Sequence, residues 1–280
     1  MRPPSSDRPL SSAARAALWQ PVREQLAELA ASDPRHLRFG ARAHRYLLRP
    51  PLAPDRVEHL EREAGVSLPA DYRDFVLELG DGGAGPALGL WPLDDPRQLA
   101  TLAGPCLLGD EERAPPAPGT PWGGVVALGQ LGCGHVVYLI VSGARRGQVW
   151  LDAPTVGVVA PIAAHFIAYY TSWLTALRDG RWPDAHVPPG ACALAQGLSG
   201  YLGVMERRLG VAQGQLAGEP LRQALSALGP GSIQLITEQS RTAMLPSGTP
   251  VAPCLSCEQL LLSLAAEGLD RAAVAEPPAR

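Results

Sequence analysis

An α+β fold is predicted by three features of the sequence. Apolar residues recur at helical spacing in Ala13–Ala31, and again at Tyr72, Phe75, Val76 and Leu79, where they form one buried stripe. Short runs rich in β-branched residues then cluster at Val125–Leu128, Val136–Val141 and Gln148–Leu151. Helical patterning resumes after them. Strands gathered in one block and flanked by helices point away from repeated βαβ units.

Taken in chain order, residues 1–8 read as disordered. Ala13–Ala31, with Ala17, Leu18, Val22, Leu26 and Leu29 on one side, reads as an amphipathic helix, either packing on the core that follows or forming a mobile arm. Phe39–Leu48 alternates Arg and His and reads as a strand. Pro54–Glu61 opens the first core helix, which Gly65 stops. Pro69 fits the first turn of the second, where its missing N–H costs nothing. Gly80 ends that helix, and Asp81-Gly82-Gly83 permits the positive φ angles of a tight reversal. Arg113–Gly119 carries three prolines and reads as an exposed loop. The character changes after Trp182-Pro183-Asp184, and Val187–Gly190 reads as a linker. Beyond it come helix Cys192–Leu209, helix Leu221–Leu228, strand Ser232–Thr237, a hairpin-like Met244–Val251 and helix Leu255–Ala266. These form a small α/β unit, with Arg271–Arg280 as a disordered tail.

Composition narrows the function classes. The net charge of −3 is spread along the chain with acids and bases mixed, so neither nucleic acid nor an anionic membrane is an implied partner. No apolar run reaches the roughly 18 residues a membrane span needs, and Met1–Asp7 leads into no signal-peptide stretch. Five cysteines, an odd count, fit reduced thiols or metal ligands better than a secreted disulfide framework. A cytoplasmic protein is expected. The abundance of Gly, Pro, Ala and Arg fits a GC-rich bacterial genome.

The stretch Leu68-Pro69-Ala70-Asp71-Tyr72-Arg73-Asp74-Phe75, running into Gly80-Asp81-Gly82-Gly83-Ala84-Gly85-Pro86 and then Gly89-Leu90-Trp91-Pro92-Leu93, resembles the signature of the SUKH superfamily. That superfamily includes yeast cell-wall regulators and many bacterial immunity proteins. Two further blocks follow in the family's order. Leu131-Gly132-Cys133-Gly134-His135, with the strand that ends at Val149-Trp150, resembles its Gly-Cys-Gly strand, and Phe166–Leu174 resembles its closing helix. The resemblance covers about residues 35–180. It implies an α+β domain with a mixed sheet and helices, and a non-catalytic, protein-binding role. The expected organisation is an N-terminal arm and helix over 1–34, a SUKH domain over 35–182, a small α/β domain over 183–270 and a disordered tail over 271–280.

The chemistry expected of the C-terminal part rests on thiols. Pro253-Cys254-Leu255-Ser256-Cys257 sets two sulfurs one turn apart at a helix start, where the helix N-terminus favours thiolate and both can reach one metal. Zinc-dependent nucleobase deaminases use this helix start together with a third ligand placed two residues before a catalytic Glu. Cys192 stands in the corresponding upstream place, so Cys192, Cys254 and Cys257 resemble the zinc set of bacterial toxin-type deaminases. Leu194 occupies the position of the Glu, and leucine cannot carry a proton between zinc-bound water and a base. A degenerate, deaminase-like unit is the expectation, with unrelated buried thiols and an active deaminase as alternatives.

The remaining candidates divide by chemistry. Asp81, Asp94, Asp95, Glu111 and Glu112 form a local acidic bias, read either as a solvated rim or as a partner-facing surface for a basic toxin domain. Trp91 and Trp122 are candidate anchors there or core residues. Cys133, between two glycines, reads as a small buried residue and not a nucleophile. Cys106 reads as core or loop, and His165 and His186 lack metal spacing. Gly82–Gly85 lacks the Lys-Ser/Thr of a phosphate cradle. The functional expectation is an immunity protein that neutralises a polymorphic or contact-dependent toxin. The alternatives are a zinc-dependent deaminase on a SUKH scaffold and a regulatory adaptor for an endogenous partner.

Overall fold

The computed structural model describes residues 12–106, 108, 121–154, 157–180, 193–237, 242–246 and 248–277. The expected loop 113–119 and linker 187–190 lie outside them, as do residues 1–8. Helix α1, Ser12–Ser32, buries Trp19, Val22, Leu26 and Leu29. Trp19, absent from the expected apolar face, is its main anchor. Its ring meets Phe75 edge-on at 5.6 Å, while Ala17 is exposed.

Phe39–Leu48 is not a strand. It contains a one-turn helix α2, Ala41–His44, entered through Gly40 at φ 78 and left through Arg45 and Tyr46 at φ 50 and 58. Three left-handed residues cannot lie on a pleated ladder. Asp33 holds this segment from outside, accepting from the backbone N–H of Leu37 (2.8 Å) and Arg38 (3.1 Å) and from the Tyr46 hydroxyl (2.8 Å).

Helices α3, Pro54–Ala64, and α4, Ala70–Glu78, follow as the spacing predicts. Gly65 caps α3 in the left-handed region at φ 69. The α4 stripe of Tyr72, Phe75, Val76 and Leu79 is buried. It packs on α6, Phe166–Arg178, with Phe75 5.0 Å from Phe166 and 5.1 Å from Tyr170. Asp71 caps the start of α6 by accepting from Ile167 N–H at 2.9 Å. A 3-10 turn, Pro96–Gln98, and the short helix α5, Leu99–Leu102, were not expected.

Four strands form one sheet in the order β1-β2-β3-β4: Val125–Gly132, His135–Ile140, Val149–Ala153 and Val158–Ala163. The sheet is wholly antiparallel instead of mixed. The turns at Gly132–Gly134 and Ser142–Gln148 are too short for the crossover a parallel pair requires. Strand β4 has no counterpart in the expected elements; it carries Pro161, which is tolerated because β4 is an edge. At the other edge, buried Gln98 stands in for a strand. Its side-chain amide donates to Ala127 O at 2.8 Å and accepts from Ala127 N at 3.1 Å.

The C-terminal part contributes α7, Ala193–Leu209, α8, Gly218–Ser226, and α9, Leu255–Ala266. Its described residues form no strand, so the expected α/β character is absent from them. Ser232–Thr237 makes only isolated bridges, Ile233 with Val274 and Ile236 with Pro250. Residues 271–277 are not a loose tail. Arg271–Ala273 forms a 3-10 turn, Val274 is buried, and Ile233 exchanges backbone hydrogen bonds with Ala273 and Ala275 at 2.8 Å each. Buried apolar side chains from Trp19 to Val274 make one continuous core. No helix among the described residues is long and apolar enough to cross a membrane.

Candidate functional site

Two glycine turns position the candidate residues. The first follows α4. A Cβ on Gly80 would lie 2.5 Å from Arg49 O, and one on Gly83 would lie 2.4 Å from Leu47 O. Both positions are glycine because the 47–49 backbone passes directly against them. Gly83 and Leu90 exchange hydrogen bonds at 2.8 and 2.9 Å, and Trp91 N–H donates to Leu128 O at 2.7 Å. The Gly89–Leu93 stretch of the signature is thus a bridge that ties the turn to β1.

Asp81 is the hub of this turn and not part of a rim. It is 3% exposed, and its carboxylate accepts from the backbone N–H of Leu93 (2.6 Å) and Asp94 (3.3 Å). Burial raises its pKa against the opposing pull of those two donors. A carboxylate held this way is not available to a partner. Asp94 and Asp95 are half-buried, and each is paired. Asp94 meets Arg56 at 2.6 Å, and Asp95 meets Arg97 at 2.6 Å, which lowers the Asp95 pKa. Trp91 is half-buried beside them. Trp122 is core, 3% exposed, with its ring 4.8 Å from Tyr138. Glu111 and Glu112 lie outside the described residues. Of the described candidates, Trp91, Asp94 and Asp95 keep part of their surface exposed and lie close in the chain, here called the ledge, with Trp91 also packing against the core.

The second turn, Gly132-Cys133-Gly134, joins β1 to β2. Gly132 has φ 90, and a Cβ there would lie 2.4 Å from Pro253 O and 2.6 Å from Cys254 N. Cys133, at φ 53, donates its N–H to Ala252 O at 2.8 Å. The hairpin tip therefore seats the chain just before α9. Cys254 caps that helix and Cys257 lies in its first turn. The sulfurs of Cys133, Cys254 and Cys257 all fall within 4.8 Å of one another, and all three residues are buried. Cys133 Sγ is 3.6 Å from Cys257 Sγ and accepts from Cys254 N–H at 3.4 Å. These three thiols could hold a metal ion.

The expected set paired Cys254 and Cys257 with Cys192, which lies outside the described residues. The structure brings Cys133 to them from the hairpin. Leu194 is 1% exposed and belongs to the core, so its side chain is used for packing. His135 is fully buried next to the hairpin tip. Burial lowers its pKa, and the nearby Cys254 opposes that shift. Cys106 is set apart, its thiol pKa raised by burial. His165 caps α6, accepting from Ala168 N–H, and His186 lies outside the described residues.

Residues 51–172 match the model of the SMI1 / KNR4 family (SUKH-1). The match takes in both glycine turns and the Trp91–Asp95 ledge. It stops before α7, so it lends nothing to the deaminase resemblance of the C-terminal part. No curated protein and no solved structure matches the chain.

Proposed function

Taking residues 51–172 as a SUKH-1 domain, we propose that the protein is a non-catalytic binding module, cytoplasmic, that neutralises a polymorphic or contact-dependent toxin by docking on its toxin domain. The observation that carries this is the family match itself, which spans both glycine turns and the sheet. The Trp91–Asp94–Asp95 ledge supports it as the docking surface. A half-buried tryptophan supplies apolar area, and the Asp94–Arg56 and Asp95–Arg97 pairs beside it in the chain give a polar rim whose charges can re-pair with a partner's.

A regulatory adaptor with an endogenous partner would use the same surface. The enzyme alternative, a zinc-dependent deaminase, is weakened by Leu194, a packed side chain where a proton carrier is required. Zinc would be a structural ion in the binding reading and a catalytic one in the enzyme reading.

Identification of a neighbouring toxin gene, followed by co-expression with its toxin domain, is the test. The wild-type chain should restore growth and co-purify with the toxin. The Asp94→Lys variant should lose both while melting close to the wild type. A folded wild-type chain that gives no rescue and no complex would overturn the immunity reading. Capture of an endogenous partner through the same ledge would then favour the adaptor.

A further inference from the structure

Cysteine at position 133 is not the residue its backbone favours. At φ 53 it sits in the left-handed region, which a side-chain-bearing residue adopts only with strain. Glycines on both sides show that the tip is built for close approach, and a third glycine would be the unstrained choice. Its sulfur has thiol partners in this chain. Two other thiols arrive from α9, from residues 121 and 124 positions away in sequence.

We propose that Cys133, Cys254 and Cys257 bind one zinc ion that pins the N-terminus of α9 to the β1–β2 hairpin. Zinc–thiolate bonds of about 2.3 Å at tetrahedral angles put neighbouring sulfurs about 3.8 Å apart. The Cys133–Cys257 separation is 3.6 Å, and the whole set lies within 4.8 Å. Small side-chain rotations close that difference.

The donor set selects the metal. Three soft sulfurs suit zinc and are poor ligands for magnesium or calcium, which want oxygen. On binding, each thiol gives up its proton to solvent and its sulfur donates a lone pair to the ion, so affinity falls as pH falls. The thiolates are stabilised by what already surrounds them. Cys254 N–H points at Cys133 Sγ, and the positive end of the α9 dipole lies at Cys254 and Cys257. A disulfide is the competing outcome for two of the three, but it needs a sulfur separation near 2.05 Å and leaves the third thiol over. The fourth coordination position lies outside the described triad, since no other described His, Asp or Glu belongs to the cluster. Burial of all three ligands makes the ion structural.

This proposal does not rest on toxin binding, and its test is separate. The full-length chain is purified without a histidine tag, loaded with zinc, passed through a weak chelator and measured for metal per chain. About one zinc is expected. Cobalt loading should give the sulfur-to-metal charge-transfer bands of a tetrahedral thiolate site. Cys133→Ser should weaken zinc by more than the ~10–100-fold that loss of a supporting hydrogen bond costs, while Cys106→Ser should bind as the wild type does. Zinc loading of the wild-type chain should release about three protons per ion, a readout that needs no variant to fold. No retained metal and no cobalt–thiolate bands would overturn the proposal. So would a chain two hydrogens lighter by mass, which is a disulfide. Metal lost in Cys192→Ser but kept in Cys133→Ser would overturn it in favour of the other cysteine set.

Discussion

The two glycine turns look alike in sequence and are used in opposite ways. At Gly80–Gly83 the missing side chains admit the chain's own neighbouring backbone at 47–49, and the turn closes on itself through Leu90. At Gly132–Gly134 they admit a segment more than a hundred residues away, and a cysteine placed between them meets two more. The first turn completes the core of the region that matches the SUKH-1 model. The second is a dock for residues that the family match does not include. Glycine therefore marks close approach in both places, but only the neighbouring side chains say what approaches.

Adding one methyl group to each turn breaks this comparison most sharply. Gly83→Ala and Gly132→Ala each combine a positive-φ strain with backbone contact at 2.4 Å, and each should cost about 3 kcal/mol or more. The location of the loss should differ. Gly83→Ala should lower the melting temperature of the whole protein. Gly132→Ala should chiefly raise amide exchange in α9 and around 252–254, because Pro253 can move away with its segment. Equal loss of protection in α4, α6 and α9 for both variants would mean that the turns are equivalent.

A buried histidine beside the first turn gives a second contrast, this time in pH. A Cβ on Gly89 would meet His44 at 3.3 Å, so that imidazole is part of the packing. Its Nδ1 accepts from Tyr46 N–H at 3.0 Å, and its Nε2 has no hydrogen-bond partner among the described residues. Burial, with a smaller contribution from His36, lowers its pKa from 6.5 to about 4. The unfolded chain then binds the proton more readily than the folded one between those values. Stability is full above pH 6.5 and declines as pH falls toward 4, by a total on the order of 3 kcal/mol. Denaturant melts at stepped pH should show this decline, and His44→Gln should flatten it. A wild-type slope that His44→Gln leaves unchanged would assign the decline to other groups.

Legibility followed the range of the interactions involved. The α3 and α4 helices, strands β1 to β3 and the first glycine turn rest on local spacing, and they stand where the pattern placed them. Phe39–Leu48 failed because alternating Arg and His imitates a strand, while the deciding contacts come from Asp33 and from Ala87, whose carbonyl leaves no room for a Cβ at Gly40. Gln98 covering β1 and Trp19 covering Phe75 are tertiary choices with no periodic signature. The third member of the thiol cluster was missed for the same reason. Helix-start analogy suggests Cys192, and nothing in residues 250–257 points to residue 133. One signal was present, a cysteine held between two glycines at a hairpin tip, where room had been made for another chain.

The acidic residues around the first turn separate by burial, and that difference sets the smallest of the expected effects. Asp81 accepts two backbone N–H groups from inside the core, so Asp81→Ala strands the Leu93 donor and should cost roughly 1–3 kcal/mol. Asp94 faces Arg56 across a partly exposed pair, where solvent screening limits the contribution to less than about 1 kcal/mol. In partner binding the order should reverse. Asp94→Ala should weaken the complex at unchanged stability, whereas Asp81→Asn, which keeps an acceptor for Leu93, should leave affinity intact. Chemical denaturation and titration of the two variants decide the matter together. If Asp94→Ala proves silent in binding, the ledge is a solvated rim whose charges are already spent on Arg56 and Arg97, and the docking surface must be sought on another face of the domain.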